Sequence, residues 1–177
     1  MAKKRAKKKP KPRAKKKAPR RPKFDAPAAF ARAVELATAG SLAEAKKLFR
    51  DIVTAEPKGP LAGDALYSAG LCSIQLDQFR DAIALFTRVI EDYPKAAIHP
   101  VAGAQEFGRT AARAHLGRLR AYLALGRRDV AQRELDELNA YPDSYVVDEE
   151  GERITYYALG LDALRQTEAA TSTQPET

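Results

Sequence analysis

"DQFRDAIALFTRVIEDYP", residues 77–94, is the stretch on which the fold turns. Ile83, Phe86, Val89 and Ile90 recur at three- and four-residue steps, which lines one face of a helix. Ala82 is small, Phe86 follows it by four residues, and Pro94 closes the stretch eight residues later. "SLAEAKKLFRDIVTAEP" (41–57) repeats that spacing with Ala45, Phe49 and Pro57. "RRDVAQRELDELNAYP" (127–142) repeats it again with Ala131, Leu135 and Pro142, one residue short at its end. Five residues before each Ala stands a break: Gly40, Asp77 and Gly126.

A second helical pattern precedes each break: "APAAFARAVELATA" (26–39), "LAGDALYSAGLCSIQL" (61–76) and "RTAARAHLGRLRAYLAL" (109–125). Three helix–turn–helix units follow. Small Ala45, Ala82 and Ala131 let the paired helix approach, and Pro57, Pro94 and Pro142 stop each second helix. Gly40 suits a helix end that needs a left-handed residue, and Ser41 with Glu44 reads as a capping box.

This pattern resembles the tetratricopeptide repeat, in which small residues and Gly in a first helix precede an Ala, an aromatic four residues on, and a closing Pro. The second unit carries it most fully, with Leu66, Ala69, Gly70, Phe79, Ala82, Phe86 and Pro94. The first has Ala29 where a bulky aromatic is usual, with Phe30 beside it; the third keeps Tyr122, Gly126 and Ala131 but has Leu135 for the aromatic. The marker alanines lie 37 and 49 residues apart. Against a usual period of about 34, about three residues are inserted near Gly59-Pro60 and about 15 between units two and three.

"VVDEEGERITYYALGLDALRQ" (146–166) follows, with Ile154, Tyr157, Leu161 and Leu164 on one face and Asp148, Glu149, Glu150 and Glu152 ahead of them. It reads as a helix covering the end of the stack, its acids near the positive end of the helix dipole. The fold expected is all-α: antiparallel helix hairpins stacked as a short right-handed solenoid. Helices fall near 26–39, 42–55, 61–76, 78–92, 103–125, 128–140 and 148–166, with no strand. The insert "KAAIHPVAGAQEFG" (95–108) should begin as a loop and lengthen the fifth helix through Gln105-Glu106-Phe107. The domains expected are a disordered basic tail at 1–24, a repeat domain at 25–166 (units near 26–59, 61–95 and 109–142, capping helix 146–166) and a disordered tail at 167–177.

The chain is basic at its start and acidic elsewhere. Of 31 Lys and Arg in 177 residues, 14 fall in the first 24, leaving 17 against 23 acids in the rest. Those fourteen are Lys3, Lys4, Arg5, Lys7, Lys8, Lys9, Lys11, Arg13, Lys15, Lys16, Lys17, Arg20, Arg21 and Lys23. With almost nothing apolar to bury, such a stretch does not offset the entropy of ordering. By composition it resembles the Lys/Ala/Pro tails of linker histones and of some bacterial nucleoid proteins. It would bind a polyanion such as DNA or RNA by counterion release. The alternatives are a solubilising tail, a nuclear address, or a tail lying on the acidic body. No apolar run reaches a membrane span, no apolar signal core follows the basic start, and a single Cys72 fits a reducing compartment. A cytoplasmic protein is expected, with nucleoid or nuclear association if the tail binds nucleic acid.

Catalytic chemistry is thin. His99 and His115 match no metal-ligand spacing, with His115 read as a packing residue. Cys72 falls in an apolar helix, where a thiol is inert. No Gly-rich phosphate loop is present, and neither cofactor nor metal is expected. Function points to the groove. In the tetratricopeptide family the first helices line a concave face that takes a protein partner. The resemblance puts Phe30, Val34, Tyr67, Leu71, Gln75, Arg109, Arg113 and Arg120 there, apolar with an Arg edge and unlike a carboxylate clamp. Alternatively the Arg residues form a solvated face paired in part with Glu106. The expected function is a non-enzymatic protein-interaction scaffold or adaptor with a polyanion-binding tail. The alternative is a nucleic-acid-associated protein whose tail binds while the repeats dock or oligomerise.

Overall fold

The computed structural model describes residues 24–172; the expectations for the basic stretch 1–23, and for 173–177, lie outside those residues. Among the described residues seven helices pack in sequence as hairpins: α1 (Ala26–Thr38), α2 (Leu42–Ala55), α3 (Ala62–Gln75), α4 (Phe79–Asp92), α5 (Thr110–Ala124), α6 (Arg128–Leu138) and α7 (Tyr156–Ser172). Asp25 starts α1 by accepting from the Ala28 amide at 3.0 Å, and Pro27 sits in the first turn, where a missing N–H costs nothing.

The three breaks are one device used three times. Gly40, Asp77 and Gly126 have φ of +81°, +56° and +70°. At each, the break amide bonds back three residues and the next amide five: Gly40 to Ala37 and Ser41 to Leu36, Asp77 to Ile74 and Gln78 to Ser73, Gly126 to Leu123 and Arg127 to Tyr122, all within 2.8–3.0 Å. These bonds satisfy the last carbonyls of α1, α3 and α5 and turn the chain into α2, α4 and α6. Ser41 stands at the start of α2 without a side-chain capping bond, so the capping box is not formed.

Packing follows the marker residues. Phe49 meets Phe30 edge-on at 5.1 Å between centroids. Phe86 lies between α3 and α5 at Gly70 and Gly117, where a Cβ would come within 2.5 and 2.6 Å of its ring. One apolar cluster fills α1 to α4 and reaches Ala114; a second joins Ile98 to α5, α6 and α7.

The expectation of no strand is wrong. β1 (Glu106–Phe107), β2 (Tyr145–Val147) and β3 (Arg153–Thr155) form an antiparallel sheet in that order, with Glu106 opposite Val146 and Val146 opposite Ile154. The insert therefore does not lengthen α5, which starts at Thr110. Gly108, at φ +103°, breaks the chain just before it, and a Cβ there would strike Ser144 at 2.3 Å. The acids at 148–152 do not open a helix either. Asp148 accepts from the amides of Glu150 (3.1 Å) and Glu152 (2.8 Å) and holds the turn between β2 and β3. α7 begins eight residues later than expected, capped by Thr155 through the Ala158 amide, and runs through 167–172, beyond the boundary drawn at 166.

Candidate functional site

Repeat position decides which side chains share a face. Val34, Leu71 and Arg120 each stand eleven residues before their unit's marker Ala. They therefore occupy the same place on α1, α3 and α5. Val34 is 43% exposed, Leu71 is half-buried, and Arg120 is exposed, as is Gln75 one turn beyond Leu71. Together they make an open ladder across three parallel helices, apolar at one end and cationic at the other.

Fifteen residues before the marker Ala the same face is closed. Phe30 is buried on Phe49, and Tyr67 is buried with its ring 5.5 Å from Phe86. Eighteen residues before it stand Asp64 and Arg113, at 1% and 3% exposure. Phe30, Tyr67 and Arg113 therefore offer a partner almost no surface, which corrects their assignment to an open groove. Arg109 is exposed, but its guanidinium donates to the Lys95 carbonyl and its amide donates to Ser144 Oγ at 3.0 Å. It ties the insert to the segment after α6.

The cover over Arg113 is the insert itself. The guanidinium reaches Asp64 Oδ1 at 3.2 Å through Nη1 and Glu106 Oε2 at 2.9 Å through Nε, and its Cζ lies 4.1 Å from the Tyr67 ring centre. Asp64 also accepts from the His99 amide (3.0 Å) and Thr110 Oγ1 (3.2 Å). Tyr156, at the start of α7, donates to Glu106 Oε2 at 2.7 Å. One buried Arg thus links α3, the insert, α5 and α7. Burial pushes the Asp64 carboxyl above its ordinary value against the pull of the His99 amide, Arg113 and Thr110. Burial also raises the hydroxyls of Tyr67 and Tyr156, the latter reinforced by its bond to the Glu106 carboxylate. The alternative that pairs the Arg residues with Glu106 describes Arg113, in a buried setting rather than a solvated one.

His115 and Cys72 are buried in the helical body. His115 Nδ1 lies 2.9 Å from Glu134 Oε2, and Arg118 Nη2 lies 2.7 Å from the other carboxylate oxygen. Cys72 is buried, which pushes its thiol up. Among the described residues no group of three or more His, Cys, Asp or Glu is gathered to hold a metal, and no helix is long and apolar enough to cross a membrane.

The turn geometry, the Phe86 packing and the small residues of α3 converge on the hairpin α3–α4. Residues 64–96 match the tetratricopeptide repeat family. The matched stretch runs from Asp64 to Ala96, so this repeat owns Tyr67, Leu71, Gln75 and Phe86. The hairpins on either side share its break geometry at Gly40 and Gly126. A comparison with curated protein sequences returned no match. No catalytic family was found for the chain.

Proposed function

We propose that this chain is a non-enzymatic protein-interaction scaffold whose partner binds the open ladder Val34, Leu71, Gln75 and Arg120. The observation that supports it most is the tetratricopeptide repeat at 64–96, flanked by hairpins that present side chains at the same repeat position. Helical-repeat stacks bind through such continuous faces. The insert narrows the face: it covers the first turns of α3 and α5 and leaves the later turns open, so the partner segment is short and lies toward the ends nearest Gly40, Asp77 and Gly126. An apolar residue beside Val34 and Leu71 and an acid beside Arg120 is the chemistry that fits.

The test is affinity capture on the full chain against Leu71→Asp and Arg120→Glu. The reading expects one stoichiometric partner to be lost from both variants while their unfolding midpoints stay near wild type. Retention of every wild-type partner by both variants contradicts it.

The fourteen basic residues of 3–23 act as a second, less selective element that binds a polyanion. Half of them on duplex phosphates gives a slope of log affinity against log salt of roughly −6. Binding to random-sequence DNA or RNA with no salt dependence excludes that role.

A further inference from the structure

The small sheet has two faces, and only one is used by the body. Glu106 reaches Arg113, and Val146 packs on the second apolar cluster. Because strand side chains alternate, Phe107 and Tyr145 point the other way. Their rings stack at 5.2 Å between centroids, Phe107 is 44% exposed, and the Arg153 guanidinium lies 4.8 Å from the Tyr145 ring centre. Beside this face, in the turn at 148–152, stand Glu149, Glu150 and Glu152, all exposed. Among the described residues none of the three has an ion-pair partner. Asp148 is occupied by the amides of its own turn.

We propose that this outer sheet face, with its acidic turn, is the docking site for the chain's own Lys/Arg/Pro stretch, residues 3–23. The chemistry matches on two counts. Stacked aromatics receive prolines and cations, as surfaces that read polyproline segments do. The stretch supplies both around Pro10 and Pro12, which Lys9, Lys11 and Arg13 flank. It carries fourteen positive charges and no acid, and the turn carries unpaired carboxylates. Reach is sufficient. α1, α3 and α5 are the first helices of successive hairpins and start at the same end of the stack, and the sheet is tied to the start of α5 by the Arg109–Ser144 bond. Two helix-to-helix steps of about 10 Å each separate α1 from α5, whereas the stretch from Pro10 to Phe24 spans about 45 Å when extended. The inference stands apart from polyanion binding: a polyanion would compete for the same stretch, but the docking needs none.

Carbodiimide coupling of Lys to carboxylates in the full chain, mapped by mass spectrometry in an equal mixture of 14N and 15N chains, tests it. The expected result is coupling from Lys3–Lys23 concentrated on Glu149, Glu150 and Glu152, within single chains, and lost in about 0.5 M salt, where the screening length is about 4 Å. In parallel, replacing the basic residues of 3–23 with Gln should shift the ring signals of Phe107 and Tyr145. Coupling spread over Glu35, Asp51, Glu91 and Glu137 in proportion to exposure overturns the proposal as diffuse attraction. Coupling mainly between 14N and 15N chains overturns it in favour of a second copy, and unmoved ring signals overturn the role of the sheet face.

Discussion

Two joints hold α3 to α5, and they are made of opposite materials. At one, the Phe86 ring of α4 fills the space between Gly70 and Gly117. At the other, Arg113 gathers Asp64, Glu106 and the Tyr67 ring. The first joint belongs to the repeat: any hairpin with a glycine-thin first helix and an aromatic knob can make it. The second joins Asp64 and Tyr67 of α3 to Arg113 of α5, takes in the insert through Glu106 and the His99 amide, and so fixes where that insert lies. Removing apolar surface from water is favourable outright. A buried ion cluster gains attraction but loses hydration, and the two nearly cancel. The apolar joint should therefore supply stability, and the polar joint should supply position.

The largest effect is expected at the apolar joint. Phe86→Ala should cost about 3–5 kcal/mol, as loss of a core aromatic usually does; denaturant unfolding measures it, and a cost under about 1 kcal/mol contradicts the joint. Arg113→Met comes next, at about 3 kcal/mol, because it strands the Asp64 carboxyl and bares the Glu106 carboxylate. The sharper test is the triple change Asp64→Leu, Glu106→Leu and Arg113→Met. It should cost less than Arg113→Met alone, because no buried charge remains; a triple cost equal to or above the single one would make the cluster a net source of stability.

Tyr156→Phe should cost about 1–2 kcal/mol by removing the donor to Glu106. It also carries a pH signature. Tyr67 and Tyr156 hold their protons above the ordinary tyrosine range in the folded chain. The unfolded chain releases them near pH 10, so it binds fewer protons than the folded one above that point. Their contribution is complete below about pH 10 and falls as pH rises beyond it, by about 1.4 kcal/mol per pH unit for each group. Stability measured from pH 9 to 11 should fall less steeply in Tyr156→Phe than in wild type; equal slopes refute the assignment. The smallest effect belongs to the open ladder, where Arg120→Glu and Gln75→Lys should move stability by no more than about 0.5 kcal/mol.

The same division explains what could be read from the chain. The hairpins were legible because their determinants are local. Gly40, Asp77 and Gly126 announce positive φ, and Phe49 and Phe86 sit on short-period apolar faces. The four helices from Ala26 to Asp92 lie within a residue of their expected bounds. Of the polar joint only the Arg113–Glu106 pair, seven residues apart, was open to reading; its other partners come from far apart. Arg113 meets Asp64 49 residues away, and Tyr156 meets Glu106 50 residues away. β1 has two residues, too few to show a period, and its partner lies beyond α6. The hairpin did leave a signal. Tyr145-Val146-Val147 and Arg153-Ile154-Thr155 are rich in β-branched residues and flank a turn with Gly151, yet the acids between them suggested a helix start. Arg113 was assigned to the groove by repeat position, which gives the face of a helix but not what another segment lays over it.

Whether the Arg113 cluster holds the insert in place is tested most directly by amide hydrogen exchange on the full chain. The Ile98 amide donates to Gly108, the His99 amide to Asp64 and the Thr110 amide to Ala96, each at 3.0 Å. If the Arg113 cluster holds the insert in place, these three amides should exchange as slowly as those in the middle of α3 and α5, and Arg113→Met should release them while the amides of α1 and α2 keep their protection. Exchange of Ile98, His99 and Thr110 at the rates of an open loop in the wild-type chain would contradict the account.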